Sequence, residues 1–125
     1  YLAKKILVVD DDPIILRLLA SRLKNCGYDV VSAFDGESGL KKAITEKPDL
    51  VLLDILMPGL NGFEVCKRLK ENDKTKDIPV IMLTALAGEK DLSKGLEEGA
   101  NCYITKPFNA EDLLQEIKAA MQDKK

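Results

Sequence analysis

The residues able to do chemistry in this chain are mostly acids, and each stands at the end of an apolar run. Asp10 and Asp11 follow the run KILVV, and Asp54 follows LVLL. Thr84 and Lys106 come just after two further runs, VIML and CYIT. Carboxylates that lie close together repel one another, and one lysine cannot neutralise three of them. A hard divalent cation with oxygen ligands can, so this set predicts a site for Mg²⁺, Mn²⁺ or Ca²⁺.

The composition narrows the chemistry further. None of the 125 residues is a histidine, which removes histidine bases, histidine metal ligands and a phosphohistidine donor within the chain. The net charge of −2 argues against nucleic-acid binding through phosphate contacts. No apolar run approaches the roughly 18 residues of a membrane span, and no signal peptide is present, so we expect a cytoplasmic protein without membrane contact. The length fits a single domain over residues 1–125.

The cysteines give no metal signal. Cys26, Cys66 and Cys102 are odd in number and far apart, and no CxxC pair suggests zinc. We expect three buried free thiols in a reducing compartment, with Cys26 on the apolar face of the first helix.

Short apolar runs alternate with helical patterns five times along the chain. Strands are predicted at Lys5–Val9, Asp29–Phe34, Leu50–Leu53, Val80–Leu83 and Cys102–Thr105. Strict alternation predicts a parallel sheet with helices on both faces. The first, third and fourth strands are continuous apolar runs, typical of strands buried on both faces, so the second and fifth, which carry Ser32 and Thr105, belong at the edges. This arrangement is an α/β fold, doubly wound and flavodoxin-like, with strand order 2-1-3-4-5.

Five helices connect and follow these strands. They are predicted from the Asp12 cap and Pro13 to Gly27, from the Asp35 cap to Pro48, over Gly62–Glu71, over Glu89–Glu98, and after the Asn109 cap. The fourth helix is predicted to be the least stable of the five, because its apolar anchors are few, chiefly Leu92 and Leu96, and Gly95 lies inside it.

The strand order places the acids together. In such a sheet, ligands bind at the carboxyl ends of the strands, at the switch point between the first and third strands. Asp10, Asp11 and Asp54 are all predicted at that edge, with a threonine and a lysine beside them. Helix capping explains Asp12, but it does not explain three acids at the ends of neighbouring central strands. The sequence therefore predicts one acidic, cation-binding site.

Four segments of the chain resemble the receiver domain of a two-component response regulator, and together they span essentially its whole length. They are Val9–Pro13 (VDDDP), Leu52–Gly62 (LLDILMPGLNG), Met82–Ala85 (MLTA) and Tyr103–Phe108 (YITKPF). Each segment alone is a weak signal. Four in this order, each at the end of a predicted strand, are specific.

This resemblance implies a phosphoacceptor signalling switch. Asp54 would take a phosphoryl group from a phosphohistidine on a partner histidine kinase or phosphotransfer protein, which supplies the imidazole that this chain lacks. Mg²⁺, or plausibly Mn²⁺, would be held by Asp11, Asp54 and the main-chain carbonyl of Leu56. Asp10 would act on the metal largely through water.

The resemblance also assigns roles to Thr84 and Lys106. Lys106 would pair with Asp54 and then with the phosphoryl group, and Thr84 would hydrogen-bond a phosphoryl oxygen. The peptide bond between Lys106 and Pro107 is expected to be cis. The chain would catalyse its own phosphorylation and dephosphorylation at Asp54 without a separate substrate, so it is not expected to be an enzyme in the usual sense.

Signal output and partner docking are implied in the same way. Tyr103 would swing inward when Thr84 moves toward the phosphoryl group, and the surface of the fourth helix, fifth strand and fifth helix would change. That surface would regulate a downstream effector protein or an output domain. The docking surface for the kinase would comprise Ile14, Leu18, Pro107 and Phe108. Apolar Leu56 and Leu86 beside the site should hinder an attacking water, which predicts slow to moderate dephosphorylation.

Three other functions fit the same fold less well. A flavodoxin-type flavin binder would need a loop rich in Ser, Thr and Gly after the first strand, where this chain has three aspartates. A phosphatase of the haloacid-dehalogenase type wants a second acid two residues after its nucleophile, where Leu56 stands. A receiver-like module that no longer takes phosphate is disfavoured because Asp11, Asp54, Thr84 and Lys106 are all present.

Overall fold

A computed structural model describes residues 3–86 and 88–122 and shows a single five-stranded sheet. The strands are β1 (Lys5–Val9), β2 (Asp29–Ala33), β3 (Leu50–Leu53), β4 (Val80–Thr84) and β5 (Cys102–Thr105). All neighbouring pairs are parallel, and the spatial order is β2-β1-β3-β4-β5. The order and the parallel arrangement predicted from the apolar runs are confirmed.

Five helices alternate with the strands. They are α1 (Pro13–Asn25), α2 (Gly36–Glu46), α3 (Gly62–Glu71), α4 (Glu89–Glu97) and α5 (Ala110–Gln122). The predicted caps are confirmed, because the carboxylate of Asp12 accepts the amide of Ile14 at 2.9 Å and that of Asp35 accepts the amide of Ser38 at 2.8 Å.

Two strand ends differ by one residue from the prediction. β2 ends at Ala33, whose carbonyl accepts the amide of Asp10, and Phe34 beyond it is 58% exposed. β4 extends to Thr84, because that residue pairs with Thr105 and its carbonyl accepts the amide of Lys106. Both differences lie at the carboxyl edge, where backbone pairing rather than side-chain polarity decides the boundary.

The sheet separates two apolar layers, because alternate side chains of a strand point to opposite faces. On one face Leu7, Val51 and Met82 pack with α2 and α3. On the other face Ile6, Leu52 and Leu83 pack with α1 and α5. The three central strands are buried on both faces, as their continuous apolar composition predicts.

The predicted anchors of α4 are wrong. Leu92 and Leu96 are 40% and 48% exposed, and Gly95 is the residue of α4 that is buried. The helix turns its glycine toward the sheet, so its backbone approaches the core more closely than a leucine side chain would allow. It also ends at Glu97, one residue earlier than predicted.

The prediction of three buried thiols is correct in part. All three cysteines are free, but Cys26 is exposed, Cys66 is buried and Cys102 is partly buried. Cys26 lies just past the last turn of α1, before the chain reverses at Gly27 with a positive φ of 91°, so it leaves the apolar face of that helix. Among the described residues, no helix is long and apolar enough to cross a membrane.

Candidate functional site

Backbone pairing of the central strands sets two carboxylates side by side. Val9 lies opposite Leu53, and the amide of Asp54 donates to the carbonyl of Val9 at 3.0 Å. Asp10 and Asp54, the next residue on each strand, therefore leave the sheet at the same level. Asp10 is 2% exposed and Asp54 is 6% exposed, whereas Asp11 is exposed.

The three acids form one compact cluster. Asp10, Asp11 and Asp54 each offer a carboxylate oxygen, and these oxygens all lie within 4.8 Å of one another. Three carboxyl groups face one nearby lysine, and each offers an oxygen as a ligand. This is the chemistry that suits a hard divalent cation such as Mg²⁺.

Lys106 connects two of these acids. Its Nζ donates to Asp10 Oδ2 at 2.8 Å and lies 3.5 Å from Asp54 Oδ2. We expected pairing with Asp54, and the structure places the shorter contact on Asp10. Burial lowers the pKa of Lys106, but the hydrogen bond to Asp10 and the charges of both acids outweigh it and hold the pKa above its usual value. The peptide bond between Lys106 and Pro107 is cis, as predicted.

Burial is the largest influence on the pKa of the Asp54 carboxyl. It raises the pKa of Asp54, and the negative charge of Asp10 adds to that increase. The charge of Lys106 and hydrogen bonds from the Thr84 hydroxyl and the Leu56 amide act in the opposite direction without cancelling it. A cation bound among the acids would favour the charged carboxylate.

Thr84 and Tyr103 both hydrogen-bond to the main chain of one residue, Leu86. The amide of Leu86 donates to Thr84 Oγ1 at 3.4 Å, and the hydroxyl of Tyr103 donates to the Leu86 carbonyl at 2.7 Å. Thr84 is fully buried, while Tyr103 is partly buried on the edge strand β5. A displacement of the Thr84 hydroxyl therefore reaches the Tyr103 ring through the main chain of Leu86.

Gly62 is a residue near the site that sequence reasoning missed. A Cβ at Gly62 would lie 2.4 Å from the carbonyl oxygen of Asp54 and 2.6 Å from the Cα of Ile55. The amide of Gly62 also donates to the Ile55 carbonyl at 3.0 Å. The first turn of α3 thus packs directly against the main chain of Asp54. A glycine opening a helix right after the loop that follows an acidic strand end was the signal in the sequence.

The response regulator receiver domain family matches residues 6–118. The chain belongs to that family. Receiver domains are the phosphoacceptor switches of two-component signalling, and they generally bind Mg²⁺ at an acidic cluster of the kind seen here.

Relatives of this receiver domain agree with its fold. It is 50% identical over 119 residues to PhoP of Bacillus subtilis, an alkaline phosphatase synthesis transcriptional regulatory protein, covering 95% of this chain and 49% of PhoP. A CheY-like receiver domain from Methanospirillum hungatei has a TM-score of 0.93 at 34% identity, covering 98% of this chain and 97% of the other. The BeF₃-activated receiver domain of Klebsiella pneumoniae RstA has a TM-score of 0.88 at 34% identity, covering 95% and 99%. The chain spans about half the length of the curated relatives it matches.

The predicted docking residues of the receiver domain are partly brought together. Ile14 and Leu18 are 66% and 63% exposed on α1. Leu18 and Phe108 line one shallow apolar groove between α1 and α5, together with Leu113. Pro107 is exposed beside Phe108 in the loop that precedes α5. Their part in binding a partner stays a prediction.

Proposed function

We propose that Asp54 is the phosphoacceptor of this receiver domain and that a partner histidine kinase or phosphotransfer protein is the donor. An oxygen of the Asp54 carboxylate attacks phosphorus, a P–O bond forms, and the P–N bond to the donor imidazole breaks. The imidazole leaves with the electron pair and takes up a proton. The observation that carries this proposal is the buried Asp54, held within reach of one lysine, one threonine and two further acids.

Lys106 and Thr84 position the incoming group. The Lys106 Nζ already bridges Asp10 and Asp54 at 2.8 Å and 3.5 Å, so a small movement brings this charge to a phosphoryl oxygen. Lysine suits that movement, because its ammonium is a point charge on a flexible stem. The fully buried Thr84 hydroxyl lies close enough to Asp54 to lower the pKa of that acid, and it would donate to a second phosphoryl oxygen. The chain provides this catalysis for its own modification and needs no separate substrate.

The three acids of the cluster differ in their hydrogen-bond partners, which supports different roles for them. Asp11, Asp54 and the main-chain carbonyl of Leu56 would hold Mg²⁺ or Mn²⁺. When bound, the metal supplies neutralisation of charge on the attacking and transferred oxygens. Both oxygens of Asp10 are already engaged, since Oδ1 accepts the amide of Asp12 and Oδ2 accepts Lys106. Asp10 therefore acts through water and mainly orients the lysine.

The output is a change on the surface formed by α4, β5 and α5. Phosphorylation adds about two negative charges and new acceptor oxygens beside Thr84. The Tyr103 ring already packs against the core and bonds to the Leu86 carbonyl without a phosphoryl group, so the expected inward swing has no room to occur from this position. A Thr84 hydroxyl that turns toward the new oxygens would instead stabilise this inward position through the main chain of Leu86. That surface already exposes Leu92 and Leu96, apolar groups that a downstream effector or output domain can cover. Binding of nucleic acid would fall to such a partner, because this chain carries a net charge of −2.

Chemical modification of the purified chain tests the acceptor. Acetyl phosphate transfers a phosphoryl group with loss of acetate, and intact mass with peptide mapping locates it. We expect one Mg²⁺-dependent phosphoryl group on Asp54 and none in Asp54→Asn. Asp73→Asn is the matched control, because the Asp73 side chain is 94% exposed and far from the cluster in sequence. Modification at another residue, or modification of Asp54 that is indifferent to Mg²⁺, would overturn the proposal.

The lifetime of the phosphoryl group tests a finer point. Leu56 is 52% exposed beside Asp54, and partly buried Leu86 follows Thr84 by two residues. These apolar side chains exclude an attacking water from the acceptor, so we propose slow to moderate dephosphorylation. A half-life of a few seconds in the presence of Mg²⁺ would contradict this.

A further inference from the structure

α4 touches the sheet through a residue that has no side chain. Gly95 is the buried residue of this helix, while its leucines remain 40% and 48% exposed. Glycine weakens a helix interior, so its presence in a short helix costs stability. Gly88, the residue before α4, caps it without a side-chain hydrogen bond. A helix with these weaknesses requires a reason for Gly95 other than its own stability.

The reason lies in the space around Gly95. A Cβ there would be 2.9 Å from the Sδ of Met82 and 2.9 Å from the Cδ2 of Tyr103, with the ring Cε2 at 3.2 Å. Carbon atoms in good contact are separated by about 3.5–4.0 Å, so an alanine does not fit without movement. Met82 is fully buried on the central strand β4, whereas Tyr103 is partly buried on an edge strand. The ring of Tyr103 is therefore the group that would give way.

The hydroxyl end of the same ring is hydrogen-bonded to Leu86, the residue that also contacts Thr84. The Tyr103 hydroxyl donates to the Leu86 carbonyl at 2.7 Å, and the Leu86 amide donates to Thr84 Oγ1. The inward position of the ring thus depends on two contacts. One is this hydrogen bond, and the other is the bare backbone of α4 at Gly95.

We propose that Gly95 is the positioning residue that allows Tyr103 to occupy its inward position, and so couples the acceptor site to α4. This inference rests on the proposed function in one respect, namely that phosphorylation at Asp54 is the event being coupled. A side chain at position 95 pushes the ring outward and breaks its bond to Leu86. By linkage, a protein that cannot hold Tyr103 inward binds a phosphoryl group or its mimic less tightly.

The position of the ring is measured with 3-fluorotyrosine. The chain has three tyrosines, so a fluorine NMR spectrum contains three resonances, and Tyr103→Phe identifies the one from Tyr103. In Gly95→Ala without any ligand, we expect the Tyr103 resonance to move toward the shift of a solvent-exposed tyrosine. Ser93→Ala is the matched control, because it lies on the exposed face of the same helix and also raises helix propensity. An unmoved Tyr103 resonance in Gly95→Ala would overturn the inference.

The coupling is measured with BeF₃⁻ and Mg²⁺ as the probe. We expect Gly95→Ala to weaken apparent BeF₃⁻ affinity by about fivefold or more, the lower end of ordinary coupling between sites. In a Tyr103→Ala background the ring is gone, so adding Gly95→Ala should change that affinity by less than about twofold. An equal loss in both backgrounds would assign the effect to Met82 and refute the role of Tyr103.

Two further outcomes are distinguishable. If Gly95→Ala does not fold, circular dichroism of Gly95→Ala/Tyr103→Ala decides the question. A folded double variant supports the contact with the ring, and an unfolded one overturns it. If the unmodified chain fails to bind BeF₃⁻ with Mg²⁺, the proposed function fails, while the ligand-free fluorine spectrum still decides for or against Gly95.

Discussion

Helices α3 and α4 contact each other on the same face of the sheet, yet they are anchored in different ways. α3 buries the side chains of Phe63, Val65, Cys66 and Leu69. Its first turn is capped by Asn61, whose side chain accepts the amide of Glu64 at 3.1 Å. α4 has no such cap, and its buried residue is Gly95.

This difference separates two tasks within one layer. α3 begins against the main chain of Asp54, so its rigidity would fix the position of the proposed acceptor. α4 follows β4, the strand that ends at Thr84, and it has few buried apolar contacts. Few such contacts are typical of segments with low local stability. A switch requires both, because the acceptor must keep its geometry while the output surface changes.

Matched leucine truncations test the anchoring directly. Leu69 of α3 is 1% exposed, whereas Leu96 of α4 is 48% exposed. Leu69→Ala should lower the free energy of unfolding by about 2–5 kcal/mol, because it leaves a cavity in the core. Leu96→Ala should change it by about 0.5 kcal/mol, as at other surface positions. Urea denaturation measures both values, and similar losses in the two variants would remove the contrast.

The thiol of Cys66 reports whether α4 stays in place over α3. Its Sγ donates to the carbonyl of Glu98 at the end of α4, at 3.3 Å, and burial raises its pKa from 9.0 to about 11. In the double variant Cys26→Ser/Cys102→Ser, labelling of this single thiol at pH 8 should therefore be very slow. It should rise about tenfold per pH unit until the pKa is reached, since only the thiolate reacts.

The same raised pKa has a consequence for stability. The unfolded chain releases the Cys66 proton near pH 9, and the folded chain keeps it to about pH 11. The stabilising contribution is therefore complete below pH 9 and is lost as the pH rises toward 11. Thermal unfolding measured across pH 8–11 checks this loss of stability. In the labelling experiment, rapid reaction of Cys66 at pH 8 in the folded protein would instead show that α4 opens frequently without phosphorylation.

Glycines at the starts of the two helices sharpen the comparison. A Cβ at Gly62 meets the backbone of Asp54 at 2.4 Å, while a Cβ at Gly88 meets the flexible Asp91 carboxylate at 3.1 Å. Gly62→Ala must displace main chain, so it should cost about 1–3 kcal/mol of unfolding free energy. Gly88→Ala should cost under about 1 kcal/mol. Titration with Mg²⁺ should show weaker binding for Gly62→Ala and unchanged binding for Gly88→Ala. The reverse result would mean that α4, and not α3, is the helix that fixes the geometry of the site.

Sequence patterns were sufficient for the parts of the molecule that are set by periodicity. The continuous apolar strands fixed the strand order, and this order brings Asp10, Asp11 and Asp54 to one edge. The extent of α3, predicted as Gly62–Glu71, is likewise confirmed.

Distances that depend on packing were not predictable. The leucines of α4 look like anchors in a helical pattern, but the pattern does not say that Gly95 approaches Tyr103 and turns both leucines outward. Similarly, the ends of three strands placed Lys106 near two acids without showing that Asp10 is the closer partner. Both results arise from how closely backbones approach, which local sequence does not encode.

The smallest predicted effect concerns a direct tie between the two helices. The Nζ of Lys94 on α4 lies 5.0 Å from the centroid of the Phe63 ring on α3. A cation–π contact at an exposed site contributes about 0.5–1 kcal/mol, so Lys94→Gln should lower unfolding free energy by about 0.5 kcal/mol. A double-mutant cycle with Phe63→Leu isolates the contact from the loss of packing, and it should return a similar coupling energy. A coupling near zero would mean that two other contacts mainly hold α4 in place: the packing of Gly95 against Tyr103 and the Cys66–Glu98 hydrogen bond. The mobility of α4 would then depend even more on the position of the Tyr103 ring.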